Sequence, residues 1–457
     1  MDRPTSQQKL SCRLLPIIGV FIVTAASASN EDASFTDSPL VAPNTVVSDA
    51  PFTNLKQLSA TRLVSAVLHR NSDVPAMQAT WQATQARITQ AGALDDPMLS
   101  YLIAPQTLSQ DNMDFGQKFS ISQRLPWSGK RGLREKISRF ESEASFENIT
   151  RARLRLTQAS QLAFSDWYFV HAALRINKVN QSLLQEFQDI AEIKYAAGRT
   201  SKQDVLRAEV EVALLEHRNI VLQTQRREVL SIMNTLLQRR PDLSLPPPGP
   251  VSTERTLTTI DQYRRQALLT HPDLRALQAR IRANRGRLDL SEANFYPDII
   301  LSAAYNSLWN QQEKRLSVGA AINIPLRDKR RAARDEARAH SLQLDANQKT
   351  TVAHILDILQ RAYARVDENR HVLSLYAERL LPLAEENLAA AQSDYEAGNG
   401  SFLDLISAEK NLMQTQLQLE QARADYQRRW ANLEHASGGS LTEQVNTQKK
   451  PSGGDQQ

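Results

Sequence analysis

Fifteen residues from Tyr195 to Glu209 return 200 positions later at Tyr395 to Glu409, with seven of the fifteen identical: the Tyr, the second Ala, the Gly, the Ser, the Asp and the closing Ala-Glu. Average residue usage would give about one match. The same offset pairs Asp73 with Asp273, Ala76 with Ala276, Gln78 with Gln278 and Pro97 with Pro297. An offset of 199 carries Pro126, Lys130 and Arg131 onto Pro325, Lys329 and Arg330. Landmarks recurring in one order mean one structural plan used twice. Leu245-Pro-Pro-Pro-Gly-Pro250 joins the copies as a stiff, polyproline-like linker.

Within each copy the hydrophobic period changes twice. Residues 55–93 and 261–295 are helix-forming and stop before Pro97 and Pro297, because the residue before a proline is driven out of the helical region. Period two follows. Phe115, Phe119, Ile121 and Leu125 alternate with Lys118, Ser120, Ser122 and Arg124, and Val318, Ala320, Ile322 and Ile324 alternate with Ser317, Gly319, Ala321 and Asn323. Ile299, Leu301, Ala303 and Tyr305 repeat the pattern one strand earlier. Such alternation predicts strands, and runs of about 9–11 residues suit a tilted bilayer crossing. The polar stretches 105–114 and 307–314 suit exposed loops.

After Pro126 and Pro325 the helical period resumes. Leu133 to Ala197 contains neither Gly nor Pro, and 65 helical residues would extend about 97 Å. A second long helix returns after each Tyr-x-x-Gly break. On it Leu405, Leu412, Leu419, Tyr426 and Leu433 recur every seven residues, as do Ala208, Leu215, Leu222, Val229 and Leu236 in the first copy. A strict heptad predicts left-handed coiled-coil packing; a plain bundle core is the alternative. Pro382 should kink its helix.

The N-terminus reads as an export signal. Lys9 and Arg13 precede an apolar run from Leu14 to Ala25, and Ala26-Ser-Ala28 supplies a small-residue cleavage pattern; the alternative is an N-terminal anchor, for which the apolar core is short. The predicted organisation is a signal peptide over 1–28, a disordered lead-in over 29–54, a first repeat over 55–244 with strands about 97–125, a linker over 245–252, a second repeat over 253–438 with strands about 297–325, and a disordered tail over 439–457. The one cysteine, Cys12, excludes a disulfide framework. No segment beyond the first thirty residues is apolar enough for a helical span, which excludes a polytopic helical membrane protein.

Catalytic constellations are missing. Gly129-Lys130 imitates a phosphate loop, but Arg124 stands where its first glycine belongs and Arg131 replaces Ser/Thr. The eight histidines are dispersed, and His69, His171 and His371 read as helix-surface residues without ligand partners. The sequence therefore predicts no enzyme, no cofactor and no metal site, and no nucleic-acid partner for an exported chain without a recognised module. The basic runs Lys130–Lys136 and Arg327–Arg331 read either as solvated helix surface or as contacts to anionic groups at the inner membrane face, with Trp127 as anchor.

Four strands cannot close a barrel, since an open edge in lipid strands its backbone groups. One chain would need at least about eight, so the chain must oligomerise, and three copies would give twelve. Periodicity does not fix the number.

The duplicated helix–strand–strand–helix–helix plan, with Tyr-x-x-Gly-x-x-Ser-x-x-Asp at each hairpin tip, resembles the TolC-type outer-membrane efflux family over residues 55–438. Gln123-Arg-Leu-Pro-Trp-Ser-Gly-Lys-Arg131 and Ile324-Pro-Leu-Arg-Asp-Lys-Arg330 resemble its strand-to-helix junctions, the first being similar to members paired with resistance–nodulation–division pumps, including heavy-metal exporters. The resemblance implies a mainly α fold with a β-barrel part. A homotrimer would carry one twelve-stranded barrel in outer-membrane lipid above a long periplasmic coiled-coil α-barrel. It would act as a passive duct fed by an inner-membrane pump through a periplasmic adaptor (membrane fusion protein). Type I protein secretion uses the same fold, and a periplasmic coiled-coil scaffold without a pore is the reading of a different class.

Two sites follow. Gly198 and Gly398 permit chain reversal at positive φ, and Ser201 and Ser401 can cap the returning helices. The resemblance adds adaptor docking there, with Arg199, Thr200, Ser201, Asn399 and Ser401 available. Asp204 and Asp404, one turn inside each tip, suit a helix N-terminus; the resemblance places an acid at Asp404 in the constricted periplasmic mouth, where threefold repetition would make a cation-attracting ring. The family's reference channel bonds the first tip's acid with an arginine near the second tip. Here that position is Gly400, which leaves the composition of this lock open.

Overall fold

The computed structural model describes Phe52 and residues 55–105, 116–307 and 315–439. The proposed signal peptide, nearly all of the lead-in, most of both inter-strand loops, Phe115 and all but the first residue of the tail lie outside them. The first repeat runs α1 (Ala60–Arg70), α2 (Asp73–Gly92), β1 (Met98–Ile103), β2 (Gln117–Leu125), α3 (Lys130–Ala196) and α4 (Lys202–Leu236). The second runs α5 (Ile260–Thr270), α6 (Pro272–Ala293), β3 (Ile299–Asn306), β4 (Leu316–Ile322), α7 (Arg327–Leu375), α8 (Leu381–Ala397) and α9 (Phe402–Ala436). Among the described residues no helix is long and apolar enough to cross a membrane.

Helix α3 is unbroken over 67 residues, about 100 Å. It packs along α2, α4, α6 and α9. Its counterpart is interrupted: a π-helical turn over Tyr376–Leu380 links α7 to α8, and Pro382 sits in the first turn of α8. Proline has no N–H to donate and crowds the carbonyl four residues back; the wider turn accommodates both defects without ending the helix. Leu405, Leu412, Leu419, Tyr426 and Leu433 are all buried. In the first repeat Ala208, Leu215 and Leu222 are buried, while Val229 and Leu236 are only partly so. The heptad of α4 thus weakens towards its C-terminal end.

The helices expected over 55–93 and 261–295 are each split in two. Asn71 ends α1 with extended backbone, its side chain donating to the carbonyl of Leu236 at 3.0 Å. His271 ends α5 and caps α6, its Nδ1 accepting from the Asp273 N–H at 3.2 Å, with Pro272 as the first helical residue. Polar residues able to cap a new helix outcompete continuation at both points. The repeat equivalents Asp73 and Asp273 then bind two arginines one turn apart on the same helix, Arg155 and Arg151.

The strands form one antiparallel sheet in the order β1-β2-β3-β4. Phe119 opposes Tyr101 and Tyr305, Ile121 opposes Leu99 and Ala303, and Ala303 opposes Val318. Ser120 lies between Ser100 and Ala304, and Ser302 between Ser122 and Gly319. Every apolar parity therefore falls on one face and the serines on the other, with Ser100 and Ser120 bonded at 2.6 Å. The apolar face is bare: Val318 is 84% and Leu99 75% exposed. β1 and β4 are open edges. Ile324, expected within the last strand, lies past its end, because the chain is already turning towards Pro325.

The proline linker is anchored at both sides. Leu58 pairs with Pro248 in a parallel bridge, and the Trp167 indole of α3 donates to the carbonyl of Pro246 at 3.0 Å.

Candidate functional site

Tip geometry follows from local sequence. Gly198 (φ 71°) and Gly398 (φ 80°) both adopt the left-handed conformation, which an L side chain enters only at a cost. Behind each glycine the chain re-enters a helix with a serine at the N-cap and an aspartate three residues on. The two turns are then finished differently. Ser401 Oγ accepts from the Asp404 N–H at 3.2 Å and donates to its carboxylate at 2.6 Å. Ser201, expected to do the same, makes no side-chain cap; Thr200 Oγ1 bonds the Asp204 carboxylate instead. Gly occupies the Thr200 position in the second repeat, so that bond has no counterpart there.

The tips also differ in burial. Tyr195 is exposed, whereas Tyr395 is buried against Phe402 and beneath Lys194. Lys194 Nζ lies 3.8 Å from the Tyr395 ring centroid and donates to its carbonyl at 2.5 Å. Burial pushes the Tyr395 phenol up, and the charge of Asp204 adds to it. Leu184, Phe187, Ala208, Leu215, Leu388, Phe402, Leu405 and Leu412 form one apolar cluster holding the two hairpins side by side. Gly400 explains itself by contact: an added Cβ would meet Asp394 Cβ at 3.0 Å and the Tyr395 nitrogen at 3.2 Å. A larger residue there requires a different turn. Gly198, Arg199, Gly398, Asn399, Ser401 and Asp404 are exposed, with Thr200 and Asp204 partly so.

Three features were missed or misread from sequence. Glu409, the last residue of the matched segment, is 1% exposed with neither carboxylate oxygen hydrogen-bonded. Burial, aided by Glu211 and opposed by Lys410, pushes its carboxyl up to about 7. Its repeat mate Glu209 is exposed, so the shared Ala-Glu gave no signal of this. His171 is not an ordinary surface residue. It packs edge-on to Trp167 at 4.3 Å, and burial together with Arg226 and Arg175 lowers it to about 4. Lys130 is neither solvated nor membrane-facing: it is buried against Asp298 at 2.7 Å. His69 and His371 are exposed, as expected.

This is a paired-hairpin tip one helical length from a two-faced sheet, and no group of His, Cys, Asp and Glu able to hold a metal ion occurs among the described residues. Residues 263–439 match the family model for outer membrane efflux proteins. Over its second repeat the chain is thus similar to outer membrane efflux proteins. Among its relatives, nodulation protein T of Rhizobium leguminosarum bv. trifolii is 23% identical over 318 residues, covering 65% of this chain and 66% of the relative. The cobalt-zinc-cadmium resistance protein CzcC of Cupriavidus metallidurans is 22% identical over 364 residues, covering 76% and 82%. The solved outer-membrane channel OprN superposes with a TM-score of 0.72 at 20% identity, covering 83% of this chain and 90% of that one. The chain shares the fold of this channel.

Proposed function

We propose that the chain is the outer-membrane exit duct of a tripartite efflux system, carrying drug- or metal-type cargo from an inner-membrane pump through a periplasmic adaptor. The observation that carries this is the four-stranded sheet with a bare apolar face and two open edges. Such a sheet is stable only in lipid with its edges closed. Three copies close it as a twelve-stranded barrel, within the even-numbered range of such proteins. Helix α4 supports the same assembly: Leu206, Val210, Leu214 and Val221 leave exposed apolar surface outside its buried heptad, which neighbouring copies would cover.

On this reading residues 1–28 are removed on export, the repeats 55–244 and 253–438 each give two strands and one long hairpin, and the helices stand in the periplasm. The adaptor docks at Gly198, Arg199, Thr200, Ser201, Gly398, Asn399 and Ser401, while Asp404 and Asp204 line the periplasmic mouth. A resistance–nodulation–division pump is supported by the Gln123–Arg131 junction, and metal cargo by the name of the relative CzcC.

Purified protein in planar bilayers should give discrete channels from a detergent-extracted trimer, and its deletion should sensitise cells to drugs or metals. A monomer released without detergent would identify a scaffold instead. Loss of a secreted protein with unchanged sensitivities would identify type I secretion.

A further inference from the structure

The turn from β2 into α3 is closed by a residue of the other repeat. Lys130 is buried, and its Nζ donates to Asp298 Oδ1 at 2.7 Å and to the carbonyl of Tyr296 at 2.8 Å. Arg124 reaches the other carboxylate oxygen at 2.5 Å, and the Trp127 N–H donates to the first at 3.1 Å. Burial alone would raise this carboxyl, but these bonds hold it at about 2. The Trp127 and Tyr296 rings stack at 5.4 Å. A carboxylate from the start of the adjoining strand thus fixes the strand-to-helix turn.

The turn from β4 into α7 repeats this design without its partner. Lys329 stands where Lys130 does, 199 residues on. β4 is the sheet edge, and Lys329 is exposed with no ion pair among the described residues. At the opposite edge, β1 is preceded by Asp95 and Asp96, both exposed and likewise without an ion pair among the described residues. The offset of 200 that relates β3 to β1 carries Tyr296 onto Asp96. The acid that follows the proline in the second repeat therefore precedes it in the first.

We infer that a second copy of this chain completes the open turn: Lys329 pairs with Asp96 of the partner subunit, and β4 pairs antiparallel with that subunit's β1 in the register that sets Ala321 opposite Leu102. This rests on the multi-chain barrel proposed above and specifies its seam. The register is the β2–β3 pairing, in which Ser122 opposes Ser302, moved by the two repeat offsets. It sets Ile322 opposite Tyr101 and Ala320 opposite Ile103, so the apolar face continues across the seam. A slip of one residue would set the apolar face of one strand against the serine face of the other. A slide of two is the real competitor, because the two hairpins within the chain differ by that much: Met98 opposes Ser122, whereas Ala321, the equivalent of Ser122, opposes Ile300.

The test uses the full chain in the outer membrane with Cys12 replaced by Ser. Oxidation of A321C/L102C should yield covalent trimers on non-reducing gels, while A321C/S100C and A321C/A104C yield few. K329D and D96K should each lower the temperature at which the trimer falls apart in SDS, and the double swap should restore it. Cross-linking through a slid pair alone, or failure of the double swap to recover what either single change loses, overturns the inference with the trimer intact. A monomer in mild detergent overturns the duct itself.

Discussion

Lys194 lies across the ring of Tyr395, its ammonium 3.8 Å from the centroid and bonded to the tyrosine carbonyl at 2.5 Å. The contact joins the last turn of α3 to the last turn of α8, so it ties the first hairpin tip to the second. It occupies the region where the resemblance leads one to look for an arginine–acid lock, and the crowding around Gly400 shows why that lock is not built from position 400. A cation over an aromatic face is worth about 0.5–2 kcal/mol, and a charge-assisted hydrogen bond adds to it.

Replacing Lys194 with Met keeps much of the stem packing and removes the charge. If the tie holds the tips together at rest, K194M should raise the resting single-channel conductance and leave the thermal dissociation of the proposed trimer unchanged. Y395L should act in the same direction and also weaken the tip cluster, since Tyr395 is buried there. Recordings of K194M indistinguishable from wild type would show that this contact only packs the hairpins.

The sheet makes a parity prediction. Ile121 and Val318 lie on the bare apolar face, Ser122 on the serine face. In the proposed barrel I121R and V318R should cost about 2–4 kcal/mol each near mid-membrane, read as loss of the proposed trimer. S122R should assemble and alter conductance. Equal loss at both parities would place the sheet outside lipid.

Most of the elements were legible because each rests on a pattern of its own. The period-two runs gave strand faces that the register reproduces, and the Gly- and Pro-free stretch gave α3 nearly to the residue. What failed concerns pairing across the duplication. Lys130 reads as one more basic residue in a charged run, and only the approach of Asp298, 168 positions away, makes it a buried strut. Its equivalent Lys329 is exposed, so the repeat itself misled. Ser201 and Ser401 occupy equivalent caps, yet a threonine before one and a glycine before the other decide which hydroxyl takes the aspartate. Tips that match in seven of fifteen positions therefore differ in their bonding.

Asp404 tests the proposed mouth. Its carboxylate is bonded by Ser401 but remains exposed, so capping leaves it accessible to ions. Three such groups near one axis would favour cations over anions. D404N should reduce cation selectivity and block by divalent cations with assembly intact. D204N should do less, because Asp204 is partly buried and held by Thr200. Both effects should fade in salt, since the Debye length falls from about 10 Å at 0.1 M to about 3 Å at 1 M. Unchanged selectivity in D404N would reduce this aspartate to a helix cap.

Glu409 predicts a pH dependence of opposite sign to that of most carboxylates. It is buried in α9 beside the tip cluster, with no hydrogen-bond partner, while Glu211 across the interface is occupied by Lys410 at 2.5 Å. Burial and the Glu211 charge hold its carboxyl near 7 against an ordinary 4.5. Between these values the folded chain keeps a proton that the unfolded chain has released, so stability falls as pH rises. The contribution is full below about 4.5 and gone above about 7, and the whole swing is at most about 3 kcal/mol at 1.36 kcal/mol per unit. E409Q, which keeps the shape and stays neutral, should unfold at the same temperature as wild type near pH 4.5 and at a higher one at pH 8. His171 works the other way: its lowered basicity, near 4, makes the fold lose stability as pH drops from 6.5. An H171F background removes that contribution, and comparison with the parent cancels the shifts of His271, His435 and Glu147. An E409Q protein in that background that melts in parallel with its parent from pH 4.5 to 8 would show that water or a neighbouring subunit already pairs the carboxylate.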